Sequence, residues 1–549
     1  MHKNVVYVAD YFINEVVGGA ELHGEEIIKG LRSLFYEVSL CKSQDITPEL
    51  IIQKKDHFWL ISNFMMLSEV SKNFFIQNKI LYAIIENDHK YCKSNNPMLY
   101  LNLLIPEDQI QNKDFYKNAK AVFCQSRLHC ETVQKNLILK NIVNLGCNLW
   151  SNETVSLLRQ HIGRPKTRKF GIMQTNNKNK GMLEAIKYCN QNSINADLIP
   201  FTSQEEFIKE LSKTETLVFF PTWMETFCRV AVEARILGCK LLTNKCLGCS
   251  SEPFFKLKGE DLLNSIESKK NEVLEKISKI IDNDQVNFEQ SLLLPNISVI
   301  TTLYNASEYI EGYLNSFKEQ AYINKELIIV DANSTDNSHE LFQKFYSQNN
   351  DLNIKYIKCD VKINQMKALN IALENSVGEY IAICLIDDRP ANDWLEVLSK
   401  HLFFNNDIDL VYGDTLQTNK PNETFTNNSS HGRLYEHSRK EFSKENMIKC
   451  LPGPMPMFRV SMVKKHGAHR EDLPHAGDWE LWNRCVRGGS IFKKISSPVG
   501  LYFSNPKGMS TDPEKSLIKL KEEKQVFYEY RDVFGKHNFN TFRLYFDQV

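Results

Sequence analysis

The sequence predicts an α/β protein built from open, largely parallel sheets, and two patterns support this fold class. Short apolar runs with strand character alternate with amphipathic helical segments along the chain. Polar and acidic residues follow several of these runs, at the position where the carboxyl ends of parallel strands gather ligands. At 549 residues the chain is long enough for several domains, each with its own core.

The first predicted domain covers residues 1–160. "NVVYVADYF" has a strand pattern, and "GGAELHGEEIIKGLRSLF" is a Gly-Gly turn that enters an amphipathic helix. "HFWLISNF", "KILYAIIEN" and "AKAVFCQS" follow as buried strands. The polar and basic stretch "SNETVSLLRQHIGRPKTRK" is predicted to be a linker or crossover.

The second predicted domain covers residues 161–290. Its strands are "FGIMQ", "NADLIPF", "TLVFFP" and "CKLLTN", with helices between them. "KKNEVLEKISKIIDND" then places apolar residues at helical spacing. Pro295, in "EQSLLLPN", marks the edge of the next domain.

The third predicted domain, residues 291–549, repeats a strand, a turn and a helix. "ISVITTLYNASEYIEGYLNSF" is one such segment, and the strand of "KELIIVDANSTDNSHELFQKF" ends at Asp331. "GEYIAICLIDDRP" supplies a strand that ends in Asp387 and Asp388. Carboxylates at strand ends suit a nucleotide and a hard divalent cation that bridges its phosphates. The tail "PEKSLIKLKEEKQVFYEYRDVFG" is predicted to be an amphipathic helix beyond this domain.

The composition excludes some classes of partner. Lys plus Arg and Asp plus Glu both number 67, which leaves no basic footprint for nucleic acid. The 14 cysteines lie mostly in apolar segments, as reduced core thiols do, and no apolar run is long enough to span a bilayer. We therefore expect a cytoplasmic protein without a transmembrane segment, with any membrane association peripheral at the inner face. The sequence does not predict the oligomeric state.

Four motifs of the third domain resemble glycosyltransferase family 2, whose members adopt the GT-A fold. They are "SVITTLYNASEYIEGYLNS", "ELIIVDANSTDNS", "KALNIALENSVGEYIAICLIDD" and "HAGDWELWNRC", and they follow one another in the order of the family. The resemblance implies transfer of a sugar from a nucleotide-sugar donor with inversion at the anomeric carbon. It also implies a bound Mg²⁺ or Mn²⁺ that acts as a Lewis acid on the departing diphosphate.

The family pattern assigns roles to residues of the third domain. Asp387, with Asp388 beside it, would bind the metal ion. Asp331 would hydrogen-bond the base of the nucleotide, and the turn at Tyr304 and Asn305 would line the same pocket. By the same resemblance, the Asp of "HAGDWELWNRC", Asp478, would be the general base that deprotonates the acceptor hydroxyl.

Some positions depart from the family pattern or have a simpler interpretation. Leu385 stands two positions before Asp387, where the family usually has an acid or Asn. Asp336 is interpreted as a helix cap or turn former. Trp479 and Trp482 are predicted to pack in the core rather than to stack on a sugar.

The amino-terminal half resembles glycosyltransferase family 4, which has the GT-B fold. In "PTWMETFCRVAVEARILGCKLLTN", two glutamates eight positions apart flank the start of a helix, and the resemblance implies that Glu225 faces the donor sugar while Glu233 binds the ribose hydroxyls. Lys180, in "KNKGMLEAI", matches a lysine that contacts phosphate. Gly18 and Gly19, in "EVVGGAELHGEEI", match an amino-terminal glycine loop.

Together these patterns predict a fused glycosyltransferase with a GT-B-like pair of Rossmann-like domains followed by a GT-A-like domain. It would act on a glycan, glycolipid or glycoprotein acceptor, with a second, metal-independent transfer in the amino-terminal half. In the alternative, only the carboxyl-terminal part is active and the other half is a nucleotide- or glycan-binding scaffold. A sugar-nucleotide nucleotidyltransferase ranks lower, because the glycine-rich, Arg-bearing loop it needs is missing from "TTLYNASEYI". The alternative outside the enzymes is a wholly non-catalytic scaffold that binds a glycan or a nucleotide.

Overall fold

The structure is a computed structural model that describes most of the chain: residues 4–201, 203–283, 288, 295–437, 439–506, 508 and 516–547. The chain forms two compact units, residues 1–292 and 293–549. The predicted boundary at 290/291 lies outside the described residues, so the division into three domains stays a prediction.

The first unit begins with a six-stranded sheet in which all neighbouring strands are parallel. Its strands are β1 (Asn4–Ala9), β2 (Glu37–Lys42), β3 (Phe58–Ile61), β4 (Tyr82–Ile85), β5 (Val122–Cys124) and β6 (Ile142–Asn144). The accompanying helices are α1 (Gly19–Ser33), α2 (Pro48–Gln53), α3 (Glu69–Gln77), α4 (Lys113–Lys117), α5 (Arg127–Leu137) and α6 (Asn152–His161). The strand order is β2-β1-β3-β4-β5-β6.

The remainder of the first unit is a four-stranded parallel sheet with its own helices. Its strands are β7 (Arg168–Met173), β8 (Asp197–Ile199), β9 (Thr214–Phe219) and β10 (Lys240–Thr243). Its helices are α7 (Met182–Gln191), α8 (Gln204–Ser212), α9 (Arg229–Ile236) and α10 (Gly259–Ile281). The strand order is β10-β9-β7-β8. The first unit therefore consists of Rossmann-like parallel sheets, as the predicted α/β class requires.

Of the two interpretations of "SNETVSLLRQHIGRPKTRK", a linker or a crossover, the linker is wrong over the first part, where α6 forms. Ser151 caps this helix, because its hydroxyl accepts a hydrogen bond from the backbone N–H of Thr154 at 3.2 Å. Val155 and Leu158, three positions apart, are buried on one face. The serine cap and this apolar spacing explain why a largely polar segment is helical.

The second unit contains an eight-stranded mixed sheet. Its strands are β11 (Ile297–Leu303), β12 (Lys325–Asp331), β13 (Ile354–Lys358), β14 (Tyr380–Ile383), β15 (Arg389–Pro390), β16 (Leu410–Thr418), β17 (Met457–Arg459) and β18 (Phe492–Phe503). Its helices are α11 (Ile310–Lys318), α12 (Ser338–Gln348), α13 (Gln365–Glu374), α14 (Trp394–Phe403), α15 (Val460–His466), α16 (Gly477–Arg487), α17 (Ser516–Glu529) and α18 (Arg531–Asp547). The order is β13-β12-β11-β14-β17-β16-β18-β15, and β17 runs antiparallel to both of its neighbours.

The central strands of this sheet are buried on both faces, because helices cover each side. Val299 of β11 packs in a cluster with Tyr313 of α11 and Trp394 of α14. Ile300, the next residue, packs instead with residues of α13 and α16. The first turn of α16 therefore lies on the same side of the sheet as α13.

The predicted tail helix is two helices that pack on this domain. Phe534 of α18 stacks on Trp479 of α16 with ring centroids 5.9 Å apart, and Phe527 of α17 stacks on Phe534. Trp479 and Trp482 are both buried, as expected of core residues. In the part of the chain that the structure describes, no helix combines the length and the apolar character that a membrane crossing requires.

Candidate active site

Asp331 ends β12 and is fully buried. Its Oδ1 accepts a hydrogen bond from the backbone N–H of Ser334 at 2.7 Å, and its Oδ2 accepts one from the hydroxyl of Tyr356 at 2.8 Å. Burial and the hydrogen bond to Asp331 raise the pKa of Tyr356, so this tyrosine keeps its proton and remains a donor. The carboxylate is thus fixed in place, and each oxygen retains a further lone pair for a ligand.

The turn after β11 is bonded to the turn after β12. The backbone N–H of Asn305 donates to the hydroxyl of Ser334 at 2.9 Å, and Asn305 Oδ1 accepts from the backbone N–H of Thr335 at 2.8 Å. Tyr304 is partly exposed beside this contact, and Lys362 Nζ lies 4.2 Å from the centre of its ring. The structure therefore brings Tyr304, Asn305 and the end of β12 together.

The structure also explains Asp336. Its Oδ1 accepts from the backbone N–H and the hydroxyl of Ser338, and its Oδ2 accepts from the backbone N–H of Ser307 at 2.9 Å. Asp336 therefore stabilises the start of α12 and the neighbouring turn, which is the structural role expected of it.

Asp388 follows β14 and is almost completely buried. Its Oδ1 accepts from the backbone N–H of Phe503 at 3.0 Å, whereas its Oδ2 has no hydrogen-bond partner among the described residues. Burial, and next the charge of Asp387, raise the pKa of Asp388 far above its ordinary value. A buried carboxylate oxygen without a partner is costly, so the site favours a positive ligand.

Asp387 has a raised pKa as well, again because of burial. Its Oδ2 accepts a hydrogen bond from the side-chain amide of Asn505 at 3.1 Å. The neighbouring Arg389 makes no salt bridge with either carboxylate: its guanidinium donates to the backbone oxygens of Asp388, at 2.7 Å, and Tyr309, at 2.9 Å. Among the described residues the two adjacent carboxylates form no ion pair, although the charge of Arg389 lowers the pKa of each.

Asp387 and Asp388 fit a divalent cation of the Mg²⁺ type. Such ions are commonly held by one or two carboxylates, with substrate phosphates and water completing the coordination. Within the described residues there is no group of three or more His, Cys, Asp or Glu side chains that could hold a metal ion by itself. The unpartnered Oδ2 of Asp388 is the structural observation that favours the cation.

Asp478 lies in the first turn of α16 and is half-buried. Its Oδ1 accepts from the backbone N–H of Trp479 at 2.7 Å, and its Oδ2 lies 3.6 Å from the thiol of Cys450, which donates to it. Burial raises the pKa of Asp478, although both of these donors oppose the shift. A raised pKa strengthens a carboxylate as a proton acceptor, which suits a general base.

The sheet register places three of the predicted carboxylates at one edge. Strand β11 pairs Leu303 with Asp331 on one side and Ile300 with Ile383 on the other, so the residues that follow β12 and β14 lie at the same end of the sheet. Asp387 and Asp388 follow the end of β14 after three intervening residues.

Asp478 lies on α16, on the same side of the sheet as α13. Tyr435, which packs against Tyr502 with centroids 4.7 Å apart, has a raised pKa, chiefly because it is buried. The charges of Asp478 and Asp388 both add to this shift, so both carboxylates act on Tyr435.

In the first unit, Glu225 and Lys180 form an ion pair. Lys180 Nζ lies 2.8 and 3.0 Å from the two carboxylate oxygens of Glu225. Burial lowers the pKa of Lys180, but the charge and hydrogen bond of Glu225, together with the charges of Cys228 and Asp88, outweigh burial and raise the pKa above its ordinary value. A methyl group on Gly248 would lie 2.0 Å from the backbone oxygen of Thr226, so the loop beside Glu225 requires glycine there.

Glu233 is buried and bonded within the chain. Its Oε1 accepts from the indole N–H of Trp150 at 2.9 Å, and Arg229 lies 4.0 Å away and stacks over Trp150 at 4.4 Å. Burial raises the pKa of Glu233, and Arg229 opposes that shift. Gly18 precedes α1 and Gly19 begins it, with Arg229 Cδ 3.6 Å from where a side chain on Gly19 would start. The structure thus groups Gly19 with Arg229 and Glu233.

Three residues of these sites carry no sequence signal of their own: Lys362 beside Tyr304, Asn505 beside Asp387, and Cys450 beside Asp478. Asn505 and Asp387 are 118 residues apart in the sequence. Their proximity arises from the pairing of β15 with β18.

An α/β sheet with buried carboxylates at its carboxyl edge is the arrangement of a nucleotide-binding domain. Residues 298–467 match the family model described as glycosyl transferase family 2, so the second unit contains a glycosyltransferase domain of that family. Asp478 lies beyond the matched range, and so does the whole first unit. The resemblance of the first unit to family 4 stays a prediction.

Individual relatives are similar over parts of the chain. An uncharacterized glycosyltransferase of Haemophilus influenzae is 25% identical over 244 residues, which cover 43% of this chain and 74% of that protein. A teichoic acid poly(glycerol phosphate) polymerase of Staphylococcus epidermidis is 31% identical over 239 residues, which cover 42% of this chain but 31% of the polymerase. The solved structure of mannosyltransferase PcManGT from Pyrobaculum calidifontis, in complex with GDP-Man and Mn2+, aligns with a TM-score of 0.34 at 20% identity, covering 43% of this chain and 64% of that one.

Proposed function

We propose that the second unit transfers a sugar from a nucleotide-sugar donor to a hydroxyl group of a glycan, glycolipid or glycoprotein, with inversion at the anomeric carbon. The observation that carries this proposal is the pair of adjacent carboxylates at the sheet edge: Asp387 is partly buried, and the buried Asp388 has one oxygen without a hydrogen-bond partner among the described residues. The family match over residues 298–467 supports the reaction class.

On the donor side, Asp331 would bind the base of the nucleotide. Ser334 and Tyr356 each occupy one lone pair of its oxygens, which orients the carboxylate and leaves acceptor capacity for an N–H of the base. Tyr304, partly exposed next to Asn305, would cover the base with its ring. The charge of Lys362 over that ring would favour the phosphate side of the donor.

The diphosphate would lie at Asp387 and Asp388, which would hold Mg²⁺ or Mn²⁺. When bound, this cation supplies the positive charge that the departing diphosphate needs. Asn505 would orient Asp387 through its amide. Without the cation, two carboxylates with raised pKa values would repel the donor.

Asp478 would act as the general base. As the acceptor oxygen bonds to the anomeric carbon, the bond from that carbon to the diphosphate oxygen breaks, and the hydroxyl proton passes to a carboxylate oxygen of Asp478. The donors Trp479 N–H and Cys450 S–H fix the orientation of this carboxylate. General-base assistance is typically worth about 10²–10⁴-fold in rate.

A donor screen tests this function. The intact chain is incubated with a panel of UDP- and GDP-sugars, with Mn²⁺ or with chelator, and release of the nucleoside diphosphate is measured. We expect release that depends on the cation and is lost in Asp387→Asn but not in Glu225→Gln. Release that is independent of the cation and lost only in Glu225→Gln would instead assign the activity to the first unit.

For the first unit, the contacts favour the scaffold alternative over a second transferase. Glu233 is buried and already bonded to Trp150, so its carboxylate is not presented to ribose hydroxyls in this arrangement. Glu225 is neutralised by Lys180. The same screen tests transfer by both units. If both units are active, chelator should remove one activity and Glu225→Gln should remove the other.

A further inference from the structure

The loop that leads into Asp478 is bonded to a helix near the end of the chain. Glu522, on α17, is 8% exposed. Its Oε2 accepts hydrogen bonds from two consecutive backbone N–H groups, those of His475 at 2.8 Å and Ala476 at 2.9 Å. Asp478 is only two residues further along.

This contact satisfies two backbone N–H groups at the start of α16. Ala476 occupies the N-cap position of α16 and has no side-chain oxygen of its own. The N–H groups of Ala476 and of His475 before it both bond to the carboxylate of Glu522. A negative charge at the start of a helix is also favourable to the helix dipole.

Other contacts hold the terminal helices against α16 and against the earlier part of this loop. The hydroxyl of Tyr530 donates to Glu480 Oε1 at 2.6 Å, and the guanidinium of Arg470 binds Glu529 at 3.1 Å. Because these contacts and the aromatic stack of Trp479 on Phe534 secure the packing, Glu522 is not the sole attachment of α17. Its particular contribution is the conformation of the two residues before the helix.

We propose that Glu522 is a positioning residue for the general base, so that α17, which lies beyond the range matched to the family, takes part in catalysis. The proposal rests on the function proposed for Asp478. Glu522 holds the backbone of His475 and Ala476, and that backbone sets where the carboxylate of Asp478 points. A displacement of about 1 Å in such a group can cost about 10²-fold in rate.

The substitution Glu522→Met tests this role against Glu522→Gln. Methionine keeps the length of the side chain but cannot accept the two hydrogen bonds, whereas the single carbonyl oxygen of glutamine can accept both, as Oε2 does now. With the UDP- and GDP-sugar panel, we expect kcat to fall about 10–100-fold in Glu522→Met with the donor KM within twofold. Glu522→Gln should stay within about threefold of the wild type in kcat.

A matched control lies on the same helix. Glu529→Met removes the ion pair with Arg470, earlier in the same loop, and leaves the hydrogen bonds of Glu522 to His475 and Ala476 in place. It should keep the wild-type kcat even if its thermal stability drops. A fall in kcat in Glu529→Met equal to that in Glu522→Met would overturn the proposal, because loosening of α17 would then explain both.

Hydrogen exchange of the wild-type protein supplies a check that needs no variant. The amide protons of His475 and Ala476 should exchange slowly, and fast exchange would contradict the contact. If the wild type turns over no donor, the proposed function fails, whatever the exchange result. If the wild type is active and Glu522→Met retains its kcat, the positioning role alone fails.

Discussion

The acidic residues predicted in the two units are neutralised in different ways. In the first unit, Glu225 binds Lys180, and Glu233 binds Trp150 with Arg229 close by. In the second unit, Asp388 keeps an oxygen without a partner among the described residues.

This difference distinguishes a carboxylate whose partners all come from the folded chain from one that can still bind a ligand. A buried carboxylate that has its own cation or donor is satisfied by the folded chain. Adjacent carboxylates with raised pKa values gain more from a cation than carboxylates that are already paired. Comparing partners, rather than positions in a motif, therefore supports the proposal that the second unit binds the metal-bound substrate.

The largest effect should come from Asp478→Asn. Asparagine can keep the hydrogen bond from Trp479 but cannot take the acceptor proton, so turnover should fall about 10²–10⁴-fold. Binding of the donor nucleotide, measured by calorimetry, should stay within twofold. Asp472→Asn, which alters only an exposed ion pair with Arg470, is the control and should leave turnover unchanged. Equal turnover in Asp478→Asn and the wild type would show that Asp478 is not the general base.

Asp387→Asn should reduce turnover by about 10²-fold, the rate equivalent of the few kcal/mol that a metal ion contributes to charge stabilisation. The cation dependence of the remaining activity should be weaker than in the wild type. A titration with Mn²⁺ at fixed donor concentration measures both quantities. An unchanged Mn²⁺ response in this variant would contradict the metal site.

The sequence predicted the positions of the carboxylates but not their partners. Apolar runs that end in Asp331 and Asp387 are local patterns, and parallel pairing brings such ends together. Asn505 and Glu522 reach the site from distant segments, through a strand pairing and a helix packing that no short motif encodes. The amphipathic tail was predicted as a helix, yet its contact with the loop before Asp478 depends on tertiary packing.

In the first unit, too, the sequence motif did not predict the partners of the acidic residues. The glutamate pair and Lys180 matched a nucleotide-sugar motif, but Trp150, far away in the sequence, contacts Glu233. The segment that follows Trp150 was predicted to be a linker or crossover on its composition, but Ser151 and the spacing of Val155 and Leu158 specify α6. Local caps outweigh composition in that case.

Turnover should decline at acidic pH, and the midpoint of this acidic limb should lie above 3.8, the ordinary pKa of Asp. Burial raises the pKa of Asp478, and the base works only when deprotonated, so turnover should fall as the pH decreases through that raised value. The groups that act on it are the Trp479 N–H, Cys450 and Lys519, which lower its pKa. Cys450→Ala should therefore move the limb to higher pH, and a shift to lower pH would be inconsistent with the Cys450 contact.

Asp388→Asn should stabilise the protein while it weakens the response to metal. Asparagine keeps the bond to the Phe503 N–H and removes a buried charge, which should raise the free energy of unfolding by about 1 kcal/mol at neutral pH. The pKa of Asp388 is raised in the folded state, so the folded wild type binds a proton more tightly than the unfolded chain does. This proton binding stabilises the folded wild type at acidic pH, and the stabilisation is lost as the pH rises. The advantage of the variant should therefore disappear in acid, which thermal unfolding at several pH values can measure.

The smallest effect on turnover should come from Glu225→Gln and Glu233→Gln. If the first unit is a scaffold, both variants should transfer sugar within about twofold of the wild-type rate. Glu233→Gln should still lose about 1 kcal/mol of stability, because Arg229 would lie buried without its carboxylate. A loss of turnover greater than tenfold at normal stability would show that the first unit takes part in transfer.

The most direct measurement is a crystal structure of the intact chain with Mn²⁺ and a hydrolysis-resistant analogue of the nucleotide sugar that is active in the screen. The account predicts the base at Asp331, the diphosphate and Mn²⁺ at Asp387 and Asp388, and the anomeric carbon facing Asp478. A donor bound instead beside Lys180 and Glu225, with the carboxylates of the second unit empty, would contradict it.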